Sequence, residues 1–307
     1  MHYISALFAA VILATGTVSA QLGNIAWVSF HAGDNSPSSG AQGAGFTQAP
    51  DVGYTQLLTA NGYNVTRFVT QDNMTPTSPL IQTLNTFDLV IISRSVPSGH
   101  YQSATENQAW HGISKPMMIL GGYVIRGGGG GGARLGFMTG ENIPDTAGTI
   151  RLQVNDPNHP IFQGIALDAN NLMVNNYAQI VTVSGNPQRG ISVVTNPPVS
   201  GATILATVGT TGDPAYGGMV IGEFPAGTMV GPLSGGVPTV PLAGRRLIFL
   251  TGSREAANVN SETAGIYDLI GDGPQLFLNA VAYMIPEPNA AALLLLGGLP
   301  LWLRRRR

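Results

Sequence analysis

The chain has 307 residues, of which 44% are apolar and only 10% charged, so it can bury a large core and charge-driven disorder is excluded. The formal charge is −2, and four of the 14 basic residues stand together at 304–307, which leaves no basic face for nucleic acid. The chain has no cysteine, which excludes thiolate nucleophiles, disulfides, zinc–thiolate sites and iron–sulfur clusters.

The N-terminus has the pattern of a secretory signal peptide. An apolar run at residues 4–14 is followed by small residues that end at Ala20. Cleavage is expected between Ala20 and Gln21. Because the segment before the apolar run has little positive charge, a buried first strand is the alternative interpretation.

Residues 24–284 alternate between strand and helix patterns. Strands are predicted at residues 24–30, 63–69, 88–93, 116–120 and 246–250, and helices near 54–58 and at 80–84, 102–113 and 273–284. Such alternation predicts a flavodoxin-like α/β fold with a doubly wound parallel sheet, in which Ile91, Ile92, Ile119 and Leu120 are buried on central strands. The Gly- and Pro-rich residues 148–240 are expected to form a β-rich excursion within the same domain.

Four segments of this body, residues 61–65, 87–94, 115–122 and 156–164, resemble the class I glutamine amidotransferase-like superfamily, particularly its ThuA-like branch. The resemblance implies the same fold over about residues 24–284. In the amidotransferases a catalytic cysteine stands on a turn after a central strand, where this chain has Gly121, Gly122 and Tyr123. No G-x-S-x-G elbow replaces it, so glutaminase activity is not carried over and a non-catalytic domain is expected.

Polar residues after the predicted strands form the candidate site, because open α/β sheets bind ligands beyond the carboxyl ends of their strands. A sugar or a carboxylate could bind there, with His31 as acid or base. The alternative is that these side chains only cap turns in solvated loops. The candidate ligand-binding residues are His31, Asp34, Arg94, Tyr123, Arg254 and Glu255.

Other motifs indicate no cofactor and no metal. Six consecutive glycines at 127–132 fit any glycine-loop template, but Ala133 and Arg134 follow where a phosphate-binding loop needs Lys and Ser or Thr, so a flexible surface loop is expected. His159 is expected to shape a turn. The spacing of His100 and His111 is too loose to predict a metal site.

The C-terminus has three parts: a Pro-Glu-Pro motif, an apolar run at 290–303 and an arginine cluster. As a helix the run reaches about 21 Å, short of the roughly 30 Å hydrocarbon core, and the arginines favour a cytoplasmic end. A plain tail anchor is one interpretation. The motif residues are Pro286, Glu287, Pro288, Arg304, Arg305, Arg306 and Arg307.

The order of these three parts resembles the PEP-CTERM sorting signal, also called the ice-binding-protein C-terminal domain, of Gram-negative bacteria that make exopolysaccharide. The resemblance covers residues 286–307 only. It implies an exosortase as partner, a transient inner-membrane intermediate, and final release to the cell surface or extracellular matrix. The chain is thus predicted to have a signal peptide at 1–20, an α/β domain at 21–285 and a sorting signal at 286–307.

These observations together favour an exported surface protein whose domain is non-catalytic and binds or organises extracellular polysaccharide. A ThuA-like hydrolase or isomerase that acts on carbohydrate is one alternative. A passive structural matrix protein is another. A formed pocket at the strand ends would favour binding or catalysis over the passive role.

Overall fold

The computed structural model describes residues 21–233 and 239–285. The predicted signal peptide and the predicted sorting tail, with its short apolar helix, lie outside these residues and stay predictions. Within the two described ranges, no helix is long and apolar enough to cross a membrane.

An eight-stranded sheet forms the centre of the structure. Its strands stand in the order β2-β1-β3-β4-β12-β9-β8-β5. Their bounds are β1 Gly23–Ser29, β2 Tyr63–Val69, β3 Leu89–Ile92, β4 Met117–Ile119, β5 Leu152–Val154, β8 Thr203–Val208, β9 Met219–Phe224 and β12 Arg246–Phe249. Two separate pairs of short strands are β6 Thr182–Val183 with β7 Asn186–Pro187, and β10 Met229–Val230 with β11 Val240–Pro241.

The described α-helices are α1 Ser39–Gly43, α2 Val52–Ala60, α3 Pro79–Leu84, α4 Ala104–His111 and α5 Gly273–Met284. The sequence patterns predict all of them except α1. Helix α2 ends at Asn61, as the Asn-Gly stop signal predicts. Helix α5 has the predicted bounds, and its buried residues recur three or four positions apart, which gives the helix one apolar face.

The first half of the sheet is parallel. Strands β2, β1, β3, β4 and β12 all run in the same direction, in the order 2-1-3-4-5 of flavodoxin-like sheets. Ile91, Ile92 and Ile119 are fully buried on β3 and β4, and Leu120 directly after β4 is 1% exposed. The prediction of a parallel core is confirmed, because continuous apolar runs of this kind suit strands that are covered on both faces.

The second half of the sheet is antiparallel, so the parallel sheet that the sequence predicts comprises β2, β1, β3, β4 and β12. Strand β9 pairs antiparallel with β12, β8 with β9, and β5 with β8. The β-rich middle of the chain thus extends the central sheet. Residues 209–218, which join β8 to β9, are too few for the crossover that a parallel pair requires, so the two strands form a hairpin.

A buried arginine ties β12 to the end of α4. Arg246, the first residue of β12, is fully buried and donates hydrogen bonds to the carbonyl oxygens of Trp110 at 3.2 Å, His111 at 3.3 Å and Ile113 at 2.6 Å. Burial lowers the pKa of Arg246 to about 9. A cation at a helix C-terminus complements the helix dipole, so this contact fixes the strand that leads to Arg254 and Glu255.

Candidate functional site

The structure divides the six predicted site residues into two groups. Four of them line one cavity of about 280 Å³ at the carboxyl ends of β3, β4 and β12. We call this cavity the arginine pocket, and the four residues are Arg94, Tyr123, Arg254 and Glu255. His31 and Asp34 follow β1 and are not part of its lining.

The Tyr123 ring is the centre of the arginine pocket. The guanidinium carbons of Arg94, Arg126 and Arg254 lie 5.3, 5.1 and 4.8 Å from the ring centroid. Each such contact between a cation and an aromatic face stabilises the pair by about 0.5–2 kcal/mol, more where water is excluded. The ring therefore holds three positive charges together that would otherwise repel one another.

Two carboxylates offset part of this charge. Glu255 accepts from Arg189 at 2.5 Å and from Arg254 Nε at 3.4 Å, and its Oε2 lies 3.5 Å from Arg94 Nη2. Asp145 accepts from Arg254 Nη1 at 2.9 Å. Three guanidinium groups, those of Arg94, Arg189 and Arg254, thus contact these two carboxylates.

Burial lowers the pKa of Arg126, and a further carboxylate, Glu141, opposes this effect by favouring the charged guanidinium. Positive charge remains in excess even when Glu141 is counted with Glu255 and Asp145. The local excess suits an anionic group of a ligand.

Two buried atoms of the pocket lining have no hydrogen-bond partner among the described residues, Glu255 Oε2 and a donor of Arg94. The Arg94 side chain is 8% exposed, and the unpartnered donor is its Nε. Burial lowers the pKa of Arg94, while Glu255 and Tyr123 act in the opposite direction. A buried donor left without a partner costs about 1–3 kcal/mol, so the protein tolerates a cost at this position that a bound acceptor could remove.

The two glycines in the turn after β4 differ in the room they leave for a side chain. A side chain at Gly122 would bring its Cβ within 2.0 Å of the carbonyl oxygen of Ser192, and one at Gly121 would lie 3.3 Å from Cδ of Arg94. The backbone of Ser192 would have to move before residue 122 could carry a side chain. Packing therefore closes position 122 to a side chain, whereas position 121 meets only Arg94.

His31 is buried away from the pocket, which corrects the expectation that it acts as acid or base at the rim. Its Nδ1 accepts from the backbone N–H of Ser38 at 3.0 Å, so Nε2 carries the hydrogen and donates to Ser95 Oγ at 2.9 Å. Burial lowers the pKa of His31, an effect that Asp51 opposes. Both ring nitrogens are thus occupied within the protein, and no face of the ring is open to a ligand.

Asp34 belongs to a second group of charges at the ends of β1 and β2. It accepts from Arg67 Nε at 2.6 Å and from Thr55 Oγ1 at 2.7 Å, and it lines a separate open cavity of about 390 Å³. Arg67 also donates to Asp51 at 2.9 Å. Asp34 is therefore engaged in an ion pair, and the sequence expectation that it joins the other site residues is not met.

Asp51 is the buried centre of this second group, and no sequence pattern indicates it. It is fully buried and accepts from Trp27 Nε1 at 2.8 Å and from Ser93 Oγ at 2.7 Å, besides Arg67. Burial by itself raises the pKa of Asp51, but Arg67, His31 and the two hydrogen bonds outweigh burial and lower it. We call this group the closed network, and its members are His31, Asp34, Asp51, Arg67, Ser93 and Ser95.

The other motifs have structural roles. His159 caps the short 3-10 helix Pro160–Phe162 and shapes a turn, as predicted. The guanidinium of Arg134 donates to the carbonyl oxygens of Gly131, Gly132 and Ala133, so the protein holds the end of the glycine run. His111 is buried with Nε2 2.9 Å from the carbonyl oxygen of Leu135. No cluster of three metal-ligating side chains occurs in residues 21–233 and 239–285.

Comparisons with known proteins bear on the general fold alone. No protein-family model and no curated protein matches the sequence. The structure is similar to one described as ThuA-like from Parabacteroides merdae, at 10% identity over 86% of this chain and 90% of that chain, with a TM-score of 0.48. A second protein described as ThuA-like, from Bacteroides uniformis, has 10% identity over 87% and 92% of the chains and a TM-score of 0.46. A cytoplasmic protein from Salmonella typhimurium has 12% identity over 84% and 98%, with a TM-score of 0.45.

Proposed function

We propose that this chain is an exported surface protein whose ThuA-like α/β domain binds acidic groups of an extracellular polysaccharide in the arginine pocket, without catalysing a reaction. The observation that carries the proposal is the buried Arg94, which shares the Tyr123 ring with Arg254 and keeps one donor unpartnered among the described residues. Planar guanidinium donors match the geometry of a carboxylate, and uronic acids supply carboxylates in polysaccharides.

Contacts at three residues, Ser192, His31 and Glu255, support the proposal that the domain catalyses no reaction. Ser192 leaves no room for a side chain at position 122, and His31 is enclosed in the closed network. Glu255, the one carboxylate of the pocket lining, is held by Arg189 and Arg254. Both arginines contact Glu255 Oε1, so this carboxylate is already engaged in ion pairs within the protein.

A binding experiment tests the pocket. The full chain, purified in mild detergent, should bind oligogalacturonate in calorimetry, with an affinity that falls as salt is raised. Arg94→Met should lower the affinity by about tenfold or more, since it removes one charge-assisted contact. Arg151→Gln is the matched control, because Arg151 lies outside the arginine pocket. Equal binding by the wild type and Arg94→Met would contradict the proposal.

The same preparation separates binding from catalysis. Incubation with oligogalacturonate should yield no shorter or isomerised product. If product forms and Glu255→Gln abolishes it while the variant stays folded, the hydrolase or isomerase alternative replaces the binding function. A folded chain that binds no polysaccharide fragment would favour the passive structural role.

The surface location rests on the two ends of the sequence and has its own test. Exosortase processing should depend on Glu287 and on the arginine cluster. Glu287→Ala is therefore expected to leave unprocessed precursor in the inner-membrane fraction of the host. Normal processing of this variant would favour a plain tail anchor.

A further inference from the structure

A second cavity lies next to the arginine pocket and is of a different chemical kind. It has a volume of about 520 Å³, within the range of small-molecule sites, and no charged residue is among those that line it in the described part of the chain. We call it the amide pocket. Its polar and apolar walls include Phe46, Asn186, Gln188, Asn258, Val259 and Asn260.

We propose that the amide pocket is a subsite for an uncharged sugar, and that it and the arginine pocket bind neighbouring sugars of one polysaccharide. The inference rests on the proposed function of the arginine pocket. It narrows the ligand to a polymer in which acidic and uncharged sugars alternate.

The position of the two cavities supports a shared ligand. One segment of the chain, residues 254–263, contributes to the lining of both. Glu255 lines the arginine pocket and Ala256 lines the amide pocket, and Ser261 and Asn260 are divided in the same way. Neighbouring residues thus face different cavities, so a single stretch of chain separates the two.

The chemistry of the walls supports an uncharged sugar. The side-chain amides of Asn186 and Asn258 make no hydrogen bond to other described residues, so their donors and acceptors are free for hydroxyl groups. Phe46 and Val259 add apolar surface, which suits the C–H faces of a sugar ring. An acidic sugar would find no cation there to replace its lost hydration.

Gly43 lines the amide pocket at an exposed position with open space beside it. A Cβ built at this position meets no atom within 4 Å, although Gly43 ends α1 and its backbone does not require glycine. A larger side chain at position 43 is therefore expected to fold normally and to occupy part of the pocket. The same geometry occurs at Gly148, outside the pocket, which makes it the matched control.

Two probes on the full chain in detergent test the subsite. The first is a hyaluronan tetrasaccharide, in which glucuronate and N-acetylglucosamine alternate. The second is digalacturonate, which is wholly acidic and short. Gly43→Leu should weaken binding of the tetrasaccharide by about tenfold and change binding of digalacturonate by less than about twofold, whereas Gly148→Leu should change neither.

A second pair of variants changes charge in place of volume. Asn258→Asp puts a carboxylate into the amide pocket at a residue with φ of 62°, and Asn73→Asp makes the same change at an exposed residue with φ of 56° elsewhere. Only Asn258→Asp should weaken tetrasaccharide binding.

The outcomes separate the two proposals. If the wild type binds both probes and neither Gly43→Leu nor Asn258→Asp weakens the tetrasaccharide, the subsite is wrong and the arginine pocket stands. If the wild type binds neither probe, or if Arg94→Met leaves both unchanged, the proposed function fails and the subsite fails with it.

Discussion

Two groups of charged side chains lie at the edge of the sheet, the closed network and the arginine pocket. Both contain arginines and carboxylates, but they differ in how completely the buried arginine is paired. In the closed network Arg67 has a side chain that is 5% exposed, and in the arginine pocket Arg94 is almost as buried at 8%. Arg67 pairs with two carboxylates, Asp34 and Asp51, at 2.6 and 2.9 Å. Arg94 meets one carboxylate at 3.5 Å and keeps an unpartnered Nε.

The comparison shows that the burial of an arginine and the pairing of its hydrogen-bond donors are separate properties. A buried arginine whose donors are occupied by the protein contributes to stability and has nothing to offer a ligand. An equally buried arginine with an unpaired donor can still bind a ligand, but the unpaired donor lowers the free energy of unfolding. Strand β3 leads into both groups, since Ser93 and Ser95 belong to the closed network and Arg94 to the pocket.

The largest expected effect is on folding, from the closed network. Arg67→Met leaves Asp51 buried without its cation and should lower the free energy of unfolding by about 3–5 kcal/mol. Arg94→Met should cost less, because Glu255 keeps Arg189 and Arg254 as partners. Urea unfolding of the two variants measures the difference. Equal losses of unfolding free energy in the two variants would contradict the proposed difference between the two groups.

A third buried carboxylate shows what happens without a cation. Asp268 accepts from Tyr54, Thr251, Ser253 and the backbone N–H of Gly252, all neutral donors. Burial raises its pKa from 3.8 to about 6, against the opposing effect of these hydrogen bonds. Its contribution to stability is present below pH 3.8 and is lost as pH rises through about 6, whereas the stabilisation from Asp51 is lost as pH falls below 3.8.

Free energies of unfolding measured between pH 4 and pH 7 test whether the contribution of Asp268 to stability falls as pH rises. The stability of the wild type relative to Asp268→Asn should fall by up to about 3 kcal/mol as pH rises through that interval, since each pKa unit corresponds to about 1.4 kcal/mol. A difference that is flat, or that rises with pH, would show that the four hydrogen bonds outweigh burial.

A smaller effect is expected at the floor of the arginine pocket. Gly122→Ala brings a Cβ against the Ser192 carbonyl and should cost about 1–3 kcal/mol in unfolding free energy. Gly121→Ala meets only the flexible Arg94 side chain at 3.3 Å and should cost less. Thermal unfolding of both variants checks this. A tolerated Gly122→Ala would reopen the position to a nucleophile.

The smallest effect concerns ligand binding by the closed network. His31→Gln should change the affinity for oligogalacturonate by less than about twofold, because His31 does not line the arginine pocket. Calorimetry on a folded variant measures it. A loss comparable with that of Arg94→Met would mean that the two groups act as one site.

Local patterns in the sequence determined most of the parallel half of the fold. The apolar runs of β3 and β4, the Asn-Gly stop after α2 and the one-sided apolar pattern of α5 all depend on neighbouring residues, and each element formed where its pattern predicts. The same reasoning placed Arg94, Tyr123, Arg254 and Glu255 at strand ends, because the carboxyl ends of parallel strands lie on one edge.

Only the tertiary structure decided which strand-end residues meet and which are already satisfied. His31 and Arg94 follow neighbouring strands and look alike in sequence, yet one is enclosed by Ser38 and Ser95 while the other faces a cavity. The partners that decide this, such as Asp51 for Arg67 and Asp145 for Arg254, lie 16 and 109 residues away along the chain. Hydrogen bonds and ion pairs depend on distances of a few ångströms between such segments, and no local pattern records those distances.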